Sequence, residues 1–562
     1  MVSSRKKGHI LQFLIGLIIV VIANQLISKY PLRFDLTEEK RYSISDASKE
    51  LLKSLDDVAY VEVYLDGELP SGFKRLRKAI EETLADFEFY AGTNIQYKFI
   101  DPSLAKSKQA RNEYFQSIIK KGLPPTNVTY SKDGNTSQKL IFPGAVISYY
   151  GQEKAVVLLK GNQLSSSEEK LNQSIEGLEY ELANTIRILA SDQRKRIGMV
   201  TGHGEPDSLN IAGLNNAILD KYDLSYVSIS EGKRPLNSYD ALLIAKPTTV
   251  FSEQEKYKLD QYIINGGKAL FFLDGLHVNM DSAVNGEGTV AVPYDLNLTD
   301  MLFKYGVRIN QNYIQDRVSG QFPVIAGNMG EEAQIRMLPW PFFPIINTFG
   351  DHPIVKNMDA ISMKFVANID TVKAQGIKKT PLLYTSQYSR ILAAPVRIAM
   401  NDLQKSLNPE LYNKGSQAVS YLLEGKFSSM FKNRILPKGV DKSEFNDVGM
   451  ESAIIVCSDG DVIRNEFNLK TGAPLDLGVD PYNPQVTYAN KDFILNSLEY
   501  LLNDNGIITA KAKEIKLRPL DKIKVAEEKT MWQVINLVLP IVLLILYGIG
   551  RHYFRKKKYA KF

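Results

Sequence analysis

At 562 residues, with 69 Lys and Arg against 63 Asp and Glu, the chain has room for two to four domains with full hydrophobic cores. Its formal charge of +6 is terminal: residues 1–7 carry three Lys or Arg and residues 551–562 carry six, and removing these nine leaves −3 for residues 8–550. No basic stripe remains to hold a phosphate backbone, which excludes a nucleic-acid binder, and a single cysteine, Cys457, excludes a disulfide within the chain.

In chain order, a basic tail over 1–9 precedes the apolar run Ile10–Ile27. This predicts a membrane span over 10–28, close to the ~17–25 residues a bilayer crossing needs. The run Val534–Ile549 predicts a second span over 532–550, followed by a basic tail over 551–562. Lys and Arg flanks resist translocation, so both termini are expected on the cytoplasmic side. Asn24, Gln25 and Leu26 offer no small-x-small cleavage site, so the first span is expected to stay as an anchor. Asn24, Gln25 and Asn536 are candidate contacts to a partner helix, since polar groups in a span face protein or headgroups. Pro540 predicts a kink. Two helices enclose no transport path of their own, so a separate membrane partner is expected.

A first soluble domain is predicted over 42–191. Asp46–Leu55 reads as a short helix, Val58–Leu65 as a half-buried strand, and Leu76, Ile80, Leu84 and Phe87 recur at helical spacing through Gly72–Ala91. Ile95–Phe99 is a strand, Lys106–Lys121 a polar helix, Lys139–Tyr150 and Lys154–Leu159 two β-segments, and Leu171–Leu189 an amphipathic helix. This βαβαββα order is thioredoxin-like. At the start of its first long helix, where redox chemistry needs Cys-x-x-Cys, the chain reads Asp66-Gly67-Glu68-Leu69-Pro70-Ser71-Gly72. Without a thiol, the domain is expected to bind or to space.

A larger domain is predicted over 192–503, doubly wound α/β with long insertions. Strands at Ile197–Thr201, Leu224–Ile229, Ala241–Ala245, Ala269–Leu273 and Ala453–Cys457 alternate with helices at Ser208–Tyr222, Ser252–Asn265 and Asp492–Leu502. The pattern predicts an open parallel sheet, flavodoxin- or glutamine-amidotransferase-like, with crossover helices. Such sheets hold ligands beyond the C-terminal ends of their strands, which here carry His203, Glu205, Asp274 and Asp459, with Lys246 nearby. A histidine and several carboxylates suit a metal or acid–base chemistry. The plainer alternative is that His203 and Asp207 shape and cap a loop before a helix. His-Glu-x-x-His, Gly-x-Ser-x-Gly and a Walker A loop are all missing, and Gly266-Gly267-Lys268 precedes a strand. No catalytic residue, metal or cofactor is therefore assigned, and any ATP is hydrolysed by another chain.

Within 275–450, Leu338-Pro339-Trp340-Pro341-Phe342-Phe343-Pro344 places prolines that block regular structure among large aromatics. It reads as a strap over a core, or as a surface offering Trp340, Phe342 and Phe343 to a peptide, glycan or protein partner. Gln404–Asp447 reads as a polar, solvated excursion. The Lys- and Glu-rich residues 504–531 read as a stalk.

Ordered blocks along the chain resemble one family. They are Arg41-Tyr42-Ser43-Ile44-Ser45, Val63-Tyr64-Leu65-Asp66-Gly67-Glu68-Leu69-Pro70, Phe99-Ile100-Asp101-Pro102, Ile141-Phe142-Pro143-Gly144-Ala145, Thr201-Gly202-His203-Gly204-Glu205, Trp340-Pro341-Phe342 and His352-Pro353-Ile354-Val355. These resemble GldG, the gliding-motility-associated ABC-transporter auxiliary, or substrate-binding-like, protein of Bacteroidetes. The resemblance implies a two-pass inner-membrane subunit with a large periplasmic domain, working with a separate ABC permease and a separate ATPase. It supplies no catalytic residues. A small-molecule, glycan or peptide ligand is left open.

Overall fold

The computed structural model describes residues 8, 13–22, 43–104, 107–132, 135–160, 166–191, 194–230, 234–284, 288–293, 295–329, 332–404, 408–440, 443, 445–502, 506–512 and 522–559. It divides into two units, Met1–Lys513 and Glu514–Phe562.

In the first unit, α1 (Asp46–Lys53), β1 (Ala59–Val63), α2 (Ser71–Ala91), β2 (Ile95–Phe99), α3 (Lys108–Lys120), β3 (Gly144–Tyr149), β4 (Gln152–Val157) and α4 (Ser167–Ala190) follow one another. A hairpin pairs 126–132 with 135–141. The strands form a four-stranded sheet in the order β2-β1-β3-β4, with β1 parallel to β2 and the other pairs antiparallel. Leu76, Ile80, Leu84 and Phe87 lie on one stripe of α2 and are fully buried, so helical spacing is converted directly into core. α4 begins with a capping box, Ser166 and Glu169 satisfying each other's backbone N–H groups. Its buried Glu179 accepts from Ser45 N (2.6 Å) and Ser48 Oγ (2.8 Å), tying α1 to α4.

The larger sheet is built from β5 (Arg196–Thr201), β6 (Asp223–Ser228), β7 (Ala241–Ala245), β8 (Lys268–Phe272) and, after a long hairpin of β9 (Ser319–Met329) and β10 (Glu332–Ile346), from β11 (Thr348–Phe349), β12 (Ile377–Tyr384), β13 (Ala418–Ser428) and β14 (Val448–Cys457). Among the described residues its order is β11-β12-β13-β14-β8-β7-β5-β6. The five strands from β14 to β6 are parallel. β11, β12 and β13 are antiparallel additions. The sheet is thus mixed rather than wholly parallel. Every residue of β7 is buried, as expected of a strand covered on both faces. One face packs on α5 (Ala212–Leu219) and α7 (Asn490–Leu502), the other on α6 (Glu253–Ile264) and residues 296–307.

Three expectations are corrected here. Gln404–Asp447 is not a solvated excursion: it contributes the interior strand β13, whose Val419, Leu422, Leu423 and Phe427 are fully buried. Its polar flanks hid a strand that needs apolar residues on both faces. Leu338–Pro344 is regular structure, part of β10. Pro339 and Pro344 are paired across from β9 at a register shift, and Pro344, which has no N–H, uses its carbonyl to accept from Met363 N (3.0 Å). The start of the stalk holds a 3-10 turn, Ile507–Ala512, whose Ile507, Ile508 and Ala510 are buried in the core of the four-stranded layer.

The second unit holds α8 (Lys522–Tyr559), which runs on through Pro540. Glu528–Lys558 is long and apolar enough to cross a membrane. Of the predicted first span, Phe13–Ile22 is a short, exposed apolar helix, and the remainder, with Asn24 and Gln25, lies outside the described residues.

Candidate functional site

Three parallel strands end side by side, and each delivers a charged group. β7 ends at Lys246, which holds φ +49° while its N–H donates to Phe272 O (2.9 Å). A non-glycine residue in that region is strained, and such strain gathers at working sites. β8 runs into Asp274, and β14 into Asp459 and Asp461. The Lys246 Nζ lies 2.9 Å from Asp274 Oδ2 and 2.6 Å from Asp461 Oδ2. Gly460 N donates to Asp274 Oδ1 (2.6 Å), and Asp461 N to Asp459 Oδ1 (2.6 Å). Gly460 is required by space: a Cβ would stand 2.5 Å from Lys246 Cγ and 3.0 Å from Asp274 Oδ1. The fully buried Asp459 also accepts from Lys364 N (2.8 Å), and Arg464 pairs with Asp461 (3.0 Å).

Burial divides the three carboxyls. Desolvation, with Asp461 and Asp274 beside it, drives Asp459 well above the usual range and toward its neutral form. Burial also raises Asp274 against the pull of Lys246. At Asp461 burial is outweighed by Lys246, Arg464 and Lys364, which hold it at about 2. Among the described residues, these three aspartates are the one group whose donor atoms converge as a metal site requires, within 4.8 Å. The Lys246 ammonium, in contact with two of them, already supplies the cationic charge, so a divalent ion would have to displace it.

Lys246, Asp274 and Asp461 floor a cleft of about 550 Å³. Its walls include Phe322, Phe343 and Phe365 from one direction and Phe467, Tyr482 and Tyr488 from another, with Lys364 and Glu466 paired across it. Pockets of ~300–1,000 Å³ with aromatic walls and a few placed charges suit small ligands.

His203 and Glu205 do not line the cleft. His203 is buried, stacked on Phe251 (3.6 Å between centroids), with Nε2 3.3 Å from Glu255 Oε1 and Nδ1 3.5 Å from Glu205 Oε1. Burial alone would lower its pKa, but Glu205 and Glu255 outweigh that and raise it. Glu255 is also the capping-box residue of α6. His203 therefore locks the loop after β5 onto a helix N-terminus, so the four predicted residues split into two places. Asp274 lines the cleft and Asp459 lies fully buried beside it; His203 and Glu205 serve its scaffold. Trp340, Phe342 and Phe343 are 2, 5 and 7 % exposed and packed on one another and Phe365. Their faces are spent in a core, which leaves them unsuited to anchor an outside partner, although Phe343 borders the cleft. Asn536 is exposed on α8.

Residues 194–497, which hold all of these groups except Asn536, match the family model described as an ABC-type uncharacterized transport system. This chain belongs to that family of ABC-transporter auxiliary proteins. Residues 38–148 match a domain of unknown function. An uncharacterized protein of Borreliella burgdorferi is similar over nearly the whole length, 21 % identical over 570 residues, 98 % of this chain and 99 % of that one. Among solved structures, the mmIFT52 N-terminal domain is 12 % identical with a TM-score of 0.29, covering 55 % of this chain and 98 % of that domain. As an ABC-transporter auxiliary protein, the chain is expected to associate with a transporter complex.

Lys364, Arg464 and Glu466 were not legible as site residues. They reach the cleft from loops between elements, and no local spacing marks them.

Proposed function

We propose that this chain is a non-catalytic, membrane-anchored auxiliary subunit of an ABC transporter whose periplasmic part receives a ligand in the strand-end cleft. The observation that carries this is the cleft itself, floored by the Lys246–Asp274–Asp461 cluster and walled by aromatics from chain segments far apart in sequence. The charges at its floor neutralise one another, which favours holding a ligand over driving a reaction. We further read the four-stranded layer as a thioredoxin-like spacer, the two terminal helices as inner-membrane spans docking on a separate permease, and a separate ATPase as the motor. The GldG-like blocks make gliding motility the process we assign.

Gentle detergent extraction of the tagged chain is expected to recover a multi-span permease and an ATPase, together with a small molecule. Replacing both terminal apolar segments by unrelated spans is expected to abolish permease recovery while leaving the ectodomain folded. Unchanged recovery would overturn the docking, and a cleft empty of small molecule in the intact complex would overturn the ligand role.

A further inference from the structure

Helix α8 does not stop where its apolar run stops. Met531–Ile549, 19 residues without a charged side chain, measure about 28 Å at the ~1.5 Å rise of an α-helix, close to the ~30 Å hydrocarbon thickness of a bilayer. The helix continues to Tyr559, so Arg551, Arg555, Lys556, Lys557 and Lys558 stand on it beyond the apolar run, all exposed. At about 100° per residue, these five cations point at about 0, 40, 140, 240 and 340° around the axis, with no gap wider than about 100°. From Arg551 to Lys558 the axis rises about 10 Å, which covers the ~5–8 Å headgroup layer on one side of a bilayer. Tyr547 and Tyr553, both exposed, are of the type that sits at that level. No Asp or Glu follows Glu528 in the chain, whereas at the opposite end of α8 Lys522, Lys524 and Lys529 are balanced in part by Glu527 and Glu528.

We propose that the C-terminal end of α8 binds anionic phospholipid: its five cations form a collar at headgroup height that gathers the negatively charged lipids of one leaflet around the helix. This collar presupposes α8 as a membrane span, the reading proposed above. Fixing the orientation of a span needs only basic residues on a flanking tail of any conformation. Here the charges are held on a continuing helix and face every side of it. A protein partner covers one side of a helix and would leave most of them turned toward lipid. A zwitterionic headgroup has no net charge to offer, so the attraction selects headgroups of the phosphatidylglycerol type over phosphatidylcholine. Each Lys or Arg close to an anionic leaflet strengthens binding about fivefold.

The test reconstitutes the full chain in phosphatidylcholine bilayers carrying trace spin-labelled phosphatidylglycerol or phosphatidylcholine. Electron spin resonance then reads the fraction of each lipid immobilised at the protein. Phosphatidylglycerol is expected to associate about fivefold more strongly at low salt, the worth of one such contact. The preference is expected to fall toward parity at about 1 M salt, where the screening length is ~3 Å. Arg555→Gln, Lys556→Gln, Lys557→Gln and Lys558→Gln combined are expected to bring it below about twofold, while Lys522→Gln, Lys524→Gln and Lys529→Gln combined keep it. Both sets lie in the unit Glu514–Phe562, so thermal unfolding of the first unit is expected to be unchanged in either variant. Equal association of the two lipids, a preference that survives the C-terminal substitutions, or one that the set at the opposite end removes instead would overturn the collar. Alkaline carbonate treatment of the same vesicles separates this from failure of the span. Release of the parent chain would overturn span and collar together, and retention with equal lipid association would overturn the collar alone.

Discussion

At the scale of single residues, Lys246 carries the heaviest electrostatic duty. It pairs with two carboxylates in a buried setting, so removing it strands Asp274 and leaves Asp461 to Arg464 alone. Lys246→Met is expected to cost roughly 3–5 kcal/mol, as breaking one side of a buried ion pair does, read as a lowered urea midpoint. A loss under ~1 kcal/mol would place the pair in solvent-like surroundings. Gly460→Ala acts at the same point by steric means, since its new methyl meets Lys246 and Asp274. His203 makes a pH prediction. Its folded pKa is raised above 6.5, so its contribution is fully present below that ordinary value. It is lost as pH rises through the higher folded value. His203→Gln is expected to flatten the pH dependence of the melting temperature across that window. An unchanged slope would show that Glu205 and Glu255 do not hold a charged imidazole.

At the scale of elements, caps and strand pairings do the positioning. Ser252 begins α6 by accepting from Glu255 N, while Glu255 reaches both Ser252 and His203. Ser252→Ala is expected to cost ~0.5–2 kcal/mol as a lost cap. In a double-mutant cycle with His203→Gln the two losses are expected to be non-additive, because both act through Glu255. β13 gives a sharper contrast. Phe427 is fully buried and meets Tyr305 edge-on at 5.0 Å. Phe427→Ala is expected to cost ~3–5 kcal/mol, whereas a side chain on a solvated loop would lose less than ~0.5 kcal/mol. Helices with a clean stripe were legible in residue order: the periodicity over 72–91 coincides with α2, Ser71–Ala91. β13 was not, because an interior strand covered on both faces has no alternation to read. β10 was misread because proline was treated as an absolute barrier, although bulges and pairings through the carbonyl accommodate it.

At the scale of the whole molecule, apolar segments flank a large α/β part. The α8 apolar stretch, Glu528–Lys558, is long enough to span a bilayer. The chimera that exchanges both terminal segments tests whether these segments recognise a permease. The family match over 194–497 places the cleft inside the part shared with ABC-transporter auxiliary proteins.

Residue order by itself determined the mixed α/β character, the apolar ends, the absence of a thiol pair and the placement of Asp274 and Asp459 at strand ends. Each of these depends on local periodicity, composition or chain direction. Only the tertiary structure decided that His203 braces a helix cap, and that Trp340, Phe342 and Phe343 are spent in a core. It alone brought Lys246, Asp461, Lys364 and Glu466 around one cleft. Asp274 and Gly460 are 186 residues apart in the chain, and Lys364 and Glu466 are 102 apart. Contacts of that span are chosen by sheet order and packing, which no short window of sequence encodes.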